Sequence, residues 1–316
     1  MPALKGKALV AYLLVCVFWG STYLAIRIGL KDLPPYLFAG LRFIVAGAVL
    51  FTIAWAIGHR LPTSGAVWRT QAIVGLFLLV GGNANVVWAQ QYVPSGVASI
   101  FIVTVALWMA LFDAIVPGGS GRVSWRIIAG LLLGFIGSAM LIGTSPRAIL
   151  ESDLRGPAAL TLASASWAYG SVYFKRRPSD ISPYVAASIQ MLVGGVAVTL
   201  LGLMVGEGSR WVWTSRGLGA MAYLVVFGSL VGYSAYFYAL RHASPTVVGT
   251  YAYVNPVIAV ILGAIVLDET IGPRTVFAMA LILGAVVWIQ FSRLIPGLQS
   301  GAHSVAGPEP ASISKG

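Results

Sequence analysis

Apolar residues run along this chain in ten long stretches, separated by short segments marked by proline, glycine or charge. The stretches are Ala8–Ile28, Tyr36–Ile57, Thr70–Gln91, Gly96–Ile115, Trp125–Ile142, Pro157–Phe174, Tyr184–Val205, Gly217–Leu240, Thr246–Leu267 and Thr275–Phe291. A hydrocarbon core about 30 Å thick takes roughly 20 helical residues to cross, and these segments approach that length. Unpaired backbone groups are costly in lipid, so each stretch is expected to be a helix. The first could pass for a signal peptide, because Lys5 and Lys7 precede an apolar run. It is too long for that, and no small-x-small cleavage site precedes Arg27.

The pattern is written twice. Trp19 is matched by Trp167, Pro35-Tyr36 by Pro183-Tyr184, Ala39 by Ala187 and Gly47 by Gly195, all at an offset of 148. Further on the offset becomes 150, pairing Ala89 with Ala239, Val97 with Val247 and Gly134 with Gly284. The copies span residues 8–142 and 157–292, five segments each. Five is odd, so the second copy enters the membrane from the opposite side. Such inverted repeats build secondary transporters, with the substrate site between the halves. The fold class expected is therefore an all-α membrane protein of ten transmembrane helices in two inverted five-helix repeats. Residues 296–316, rich in Gly, Ser, Ala and Pro, read as a disordered cytoplasmic tail.

Composition agrees: 58% hydrophobic, 9% charged, mean hydropathy +0.87, against roughly a quarter charged in a soluble protein. The net charge of +11 sits at segment ends rather than along one face, which argues for membrane anchoring and against nucleic acid. Of alternate connections, one set (with both termini) holds twelve Lys and Arg, among them Lys175, Arg176 and Arg177; the other holds seven. The bias puts both termini in the cytoplasm. Cys16 is the single cysteine, and His59, His242 and His303 lie in loops or the tail, so no cofactor and no metal centre is expected. The partners expected are a small-molecule solute and the lipid bilayer; nothing in the sequence sets an oligomeric state.

No Asp or Glu falls near the middle of a stretch: Asp113 lies near the end of the fourth and Asp268-Glu269 close the ninth. Facing carboxylates or a Ser–His pair for membrane proteolysis are missing, so no catalytic residues are assigned, and a proton relay lacks its usual groups. Arg42 is the one basic residue well inside a segment, about 9 Å from its end at 1.5 Å per residue. It is read as a structural or gating cation bonded to helix-end carbonyls, with an anion or carboxylate partner as the functional alternative. A phosphorylated solute is disfavoured because phosphate binding calls for clustered Arg or Lys.

Pro256 in the ninth stretch removes a backbone bond and displaces the Ala252 carbonyl, offering a polar spot beside Asn255. In the third stretch Asn83 and Gln90, seven apart, share a helix face, whereas Asn83 and Asn85 do not. Trp19, Trp88, Trp108, Trp167, Tyr236 and Tyr251 could line a cavity, though some belong to an interfacial aromatic belt. The cavity candidates are Trp19, Asn83, Gln90, Trp108, Trp167, Tyr236, Tyr251 and Asn255. Small residues four apart (Gly130/Gly134, Gly202/Gly206, Gly228/Gly232, Ala259/Gly263) suggest close helix packing.

Several motifs carry a resemblance: Trp19-Gly-Ser-Thr-Tyr23, Leu41-Arg42-Phe43, Trp88-Ala-Gln-Gln-Tyr-Val-Pro-Ser-Gly96, Ser166-Trp-Ala-Tyr-Gly-Ser-Val-Tyr173 and Tyr251-Ala-Tyr-Val-Asn-Pro256. In these the chain resembles EamA-type permeases of the drug/metabolite transporter superfamily, in the branch of YedA-like inner-membrane exporters, over about residues 10–292. The resemblance implies a central cavity from helices 1, 3, 4, 6, 8 and 9 and export of small metabolites or drug-like compounds. Relatives often have an acid where Gln90 stands, which speaks against carboxylate-based coupling there, and a proline where Ala106 stands, which implies a straighter fourth helix. The function expected is export across a bacterial inner membrane of an uncharged, zwitterionic or amphipathic solute, by alternating access. Its rivals are an uncoupled facilitator and a receptor or assembly subunit that does not transport.

Overall fold

Many helix starts in this chain are set by short polar caps and by proline. Ser64, Ser124, Ser182, Thr214 and Ser244 each accept a backbone N–H of the turn that follows, replacing partners the first turn lacks. Pro35, Pro183 and Pro245 stand at first helical positions, where a missing N–H costs nothing. The structure, a computed structural model, describes residues 4–93, 95–117, 123–143, 153–267 and 271–291. The expected tail, 296–316, lies outside the described residues.

The elements are α1 (Lys7–Gly29), α2 (Pro35–Ala56), α3 (Gly65–Ala89), α4 in two pieces (Ser95–Val103 and Val105–Ile115), α5 (Trp125–Ile142), α6 (Arg155–Arg176), α7 (Pro183–Met204), α8 (Ser215–His242), α9 in two pieces (Pro245–Gly249 and Tyr251–Leu267) and α10 (Pro273–Phe291). Among the described residues there is no strand. Eight of these helices are long and apolar enough to cross a membrane, and Ile100–Ile115 is a shorter apolar helix. The remaining one, α6, carries Ser164, Ser166 and Ser171, which dilute its apolar run.

The duplication extends to irregular features. α3 loosens into a π-helix over Leu76–Ala84 and α8 over Leu224–Tyr233; Leu76 and Leu224 stand at the offset of 148. α4 and α9 each break at a threonine whose hydroxyl donates to the carbonyl three residues back: Thr104 to Phe101 (2.5 Å) and Thr250 to Val247 (2.7 Å). α4 is thus interrupted two residues before Ala106 although it contains no proline.

Equivalent helices of the two repeats pack on each other. α2 meets α7 backbone to backbone: a Cβ on Gly40 would lie 2.6 Å from the Thr199 nitrogen and 2.9 Å from the Gly195 oxygen, and one on Gly195 2.8 Å from the Ile44 nitrogen. α5 meets α10, where Gly130 and Gly137 face Ile289 and Ile282. Gly134, Gly202, Gly228 and Gly232 also make close approaches, as their spacing suggested. Gly206 does not: it lies beyond α7 at φ 75°, where its freedom ends the helix. Ala259 is exposed, and the side of α9 at Gly263 lies outside the described residues. Outward faces are apolar, as at Trp55, Leu132, Leu200, Phe277 and Val287, the arrangement a lipid solvent selects.

Polar links join the repeats at both ends. Asp32, between α1 and α2, accepts from Arg216 Nη2 (2.6 Å) and Nε (2.9 Å) and from Thr214 Oγ1 (2.6 Å), and its carbonyl accepts from Val212 N (3.2 Å). At the other end Arg176 of α6 pairs with Asp113 of α4, and Tyr12 of α1 bonds Thr250 of α9 at 2.8 Å. Arg216 and Thr214 hold the Asp32 carboxyl below its ordinary range. A depressed carboxyl stabilises the fold above its ordinary pKa, about 3.9, and loses that contribution as pH falls through its folded value. Detergent-solubilised Asp32→Asn should therefore melt below the wild type at pH 7, with the gap closing towards pH 3; a gap constant with pH would contradict the pairing.

Candidate solute-binding cavity

An open hollow lies between the repeats, with about 720 Å³ of empty space counted out to its mouth. Its walls are Trp19, Thr22 and Ile26 of α1, Arg42 and Phe43 of α2, Gly82, Asn83 and Val86 of α3, and Ile102 and Val105 of α4, facing Ala163, Ser164 and Trp167 of α6, Gly228 and Tyr233 of α8, and Tyr251 and Asn255 of α9. The α1 and α3 positions fall towards the C-terminal ends of those helices, and Arg42 towards the start of α2. The cavity thus sits nearer the face that carries the α1–α2 and α3–α4 connections. Towards the opposite face Tyr12, Met109, Tyr236, Phe237 and Thr250, none more than 4% exposed, fill the space.

The floor is aromatic. The repeat partners Trp19 and Trp167 meet edge to face at 5.3 Å, and Trp19 also packs on Tyr236 (5.1 Å) and Tyr251 (5.0 Å). Trp19 Nε1 donates to the Gly228 carbonyl at 2.9 Å; a Cβ on Gly232 would stand 2.5 Å from that nitrogen, so glycine admits the ring. Trp167 Nε1 donates to the Tyr236 hydroxyl (3.1 Å), which also bonds Ser171 (2.6 Å). The π segments supply carbonyls to side chains: Gly228 to Trp19, Phe77 to Ser166 (2.7 Å), and Val80 and Gly81 to Asn85 (3.1 and 2.9 Å). Wider π turns leave such groups free of the helix ladder and are frequent at functional sites.

Polar groups are few and fixed. Arg42 donates from Nη2 to the Asn83 amide oxygen at 3.2 Å and lies 4.1 Å above the Phe43 ring. Oriented to satisfy its bonds, the Asn255 amide donates to the Cys16 carbonyl of α1 (3.2 Å) and the Tyr251 carbonyl (3.1 Å). α1 comes this close because Gly20 meets α9: a Cβ there would be 2.9 Å from Ile258 Cβ and 3.1 Å from the Asn255 carbonyl oxygen. Below, a buried chain runs from Tyr233 to Gln190 (3.2 Å) to Gln71 (2.6 Å). Among the described residues no group of three or more His, Cys, Asp or Glu could hold a metal ion.

The sequence model of the EamA-like transporter family matches residues 6–143 and, a second time, residues 154–291. The chain belongs to this family. It is 35% identical over 280 residues to the uncharacterized inner membrane transporter YedA of Escherichia coli (strain K12), covering 88% of this chain and 89% of that protein. The uncharacterized transporter YvbV of Bacillus subtilis (strain 168) is 25% identical over 291 residues, covering 90% and 92%. A solved crystal structure shares the fold at a TM-score of 0.73 and 23% identity, covering 90% of this chain and 98% of that one. Family and relatives indicate membrane transport rather than enzymatic activity.

On this EamA-like frame, five of the eight cavity candidates line the hollow: Trp19, Asn83, Trp167, Tyr251 and Asn255. Tyr236 stands directly behind them, fully buried. Gln90 and Trp108 are not among the lining residues: the Gln90 amide turns back to the Val86 carbonyl (3.5 Å), and Trp108 stacks on Phe112 (5.8 Å). Arg42 finds its partner in the amide of Asn83, on the π segment of α3, rather than in helix-end carbonyls. Pro256 stays partly exposed, away from the lining, and the Asn255 amide serves the Tyr251 and Cys16 carbonyls rather than Ala252. Sequence reasoning missed the contribution of α2 through Phe43, and that of Tyr233; their signal was proximity to Arg42 and to the Gly228/Gly232 pair.

Proposed function

We propose that this protein is a secondary transporter that exports a small zwitterionic, amphipathic or uncharged solute across the bacterial inner membrane by alternating access. Ten helices would span the membrane with both termini cytoplasmic. The reading is carried by one observation: a cavity walled by both repeats and closed at one end by packed side chains. The name of the Escherichia coli relative supports the membrane assigned. The count of basic residues supports an outward-facing cavity, since its mouth lies on the sparsely basic side. Opening inward requires the Arg176–Asp113 and Tyr12–Thr250 links to part while the two repeats rock about the hollow. Purified protein in liposomes should move at least one solute of a broad amino-acid, organic-acid and drug panel above empty-liposome rates; no flux across the panel would overturn the proposal.

A second reading, facilitated diffusion, is favoured by the absence of Asp, Glu and His from the described lining residues, since proton coupling usually runs through such groups. An imposed pH gradient separates the two: a facilitator only equilibrates its solute, whereas a proton antiporter accumulates it.

A further inference from the structure

Arg42 is the one charged residue of the cavity wall among the described residues, and only 5% of it is exposed. Asn83 is its one hydrogen-bond partner there, at 3.2 Å, and its Nε–H has no acceptor. The Phe43 ring lies 4.1 Å from the guanidinium carbon, which offsets part of the charge without neutralising it. A cation held this deeply is costly unless an anion pairs with it. A planar guanidinium with spare N–H groups in a fixed fork matches a carboxylate in two parallel bonds. The remaining wall is mostly apolar or aromatic, with Trp19, Trp167 and Tyr251 opposite.

We infer that the cavity takes a solute bearing one carboxylate on an apolar or aromatic body, with Arg42 as the group that binds the carboxylate. The inference rests on the transport reading above and narrows it: an uncharged occupant leaves Arg42 stripped of water and unpaired. A phosphate dianion exceeds the single charge available. A second cationic group on the solute would find aromatic faces rather than an acid. Asn83 positions the fork by holding Nη2, and Nη1 with the second Nη2 hydrogen serves the ligand.

The test uses the full-length protein in detergent, with thermal unfolding read against phenylacetate, 3-phenylpropionate and octanoate, each beside its neutral amide. The expected result is a rise in Tm with at least one acid and none of comparable size with its amide. The acid's apparent Kd should weaken at least about tenfold in Arg42→Gln, in keeping with loss of a charge-assisted hydrogen bond, and by less in Arg42→Lys, which keeps the charge but not the fork. Amides that stabilise as well as acids, or no stabilisation by any acid, overturn the inference, and the wild-type comparison stands even if Arg42→Gln does not fold. Flux separates the two proposals: amides that bind and cross liposomes sink the carboxylate assignment and leave transport intact. A panel of which nothing crosses sinks transport itself.

Discussion

Trp19→Ala should reduce solute flux in liposomes at least about tenfold, while Trp55→Ala leaves it within about twofold. The indole of Trp19 touches Trp167, Tyr236 and Tyr251, and its N–H is spent on the Gly228 carbonyl. It is therefore both a wall of the cavity and one of the contacts between the two repeats. Emptying a packed aromatic site costs about 3–5 kcal/mol, a large share of a typical stability of about 5–15 kcal/mol. Trp19 is only partly buried, so the lower end applies, and the larger consequence is functional. Trp19→Phe keeps a ring but drops the hydrogen bond, worth about 1 kcal/mol, and should fall between the two. Trp55 is 65% exposed on the outer face and serves as the control. Equal flux in Trp19→Ala and wild type, at equal folded protein, would contradict a transport role for the aromatic floor.

Gly40→Leu should abolish recovery of monodisperse protein, whereas Gly284→Leu should be tolerated. At Gly40 a side chain meets the backbone of α7, with the Thr199 nitrogen at 2.6 Å and the Gly195 carbonyl oxygen at 2.9 Å. Backbone cannot turn aside as a side chain can, so α2 and α7 would have to separate along the seam between the repeats. Overpacking typically costs about 1–3 kcal/mol even where side chains can shift, and here they cannot. Gly284, on α10, has no atom within 4 Å of the position a Cβ would take. Its repeat partner Gly134 has the Tyr253 ring at 2.9 Å, so Gly134→Leu should be damaging where Gly284→Leu is not. Size-exclusion profiles of the three variants check this, and loss of Gly284→Leu alongside Gly40→Leu would count against the packing described.

The helices were legible because lipid permits little else: a continuous apolar run bounded by Pro, Ser or charge leaves few alternatives, and the ends fell within a few residues of the expected ones, with α3 starting earliest. The equivalence of Trp19 and Trp167 was also readable, as a match between the repeats; that their rings meet at 5.3 Å came only with the structure. What the sequence hid were changes of helical pitch. Asn83 and Gln90 share a face at 3.6 residues per turn, but Asn83 lies in the wider π segment of α3, and Gln90 ends up turned back on its own helix. Trp108 follows the break at Thr104, so its direction could not be extrapolated from the first piece of α4. Neither change disturbs the apolar run, because loosening or tightening one turn leaves composition untouched. The partner of Arg42 was hidden as well: Asn83, which bonds it, lies in that π segment.

Accessibility of the hollow from the two membrane faces tests the whole account most directly. In a Cys16→Ala background a single cysteine at Val86, a half-buried cavity position, is exposed to a membrane-impermeant maleimide applied to one face of sealed vesicles and, in a second preparation, to the other. Rocking repeats should allow labelling from both faces, each slowed by a transported solute. A cysteine that reacts from one face only, whatever solute is present, would contradict a cavity that opens alternately to the two sides.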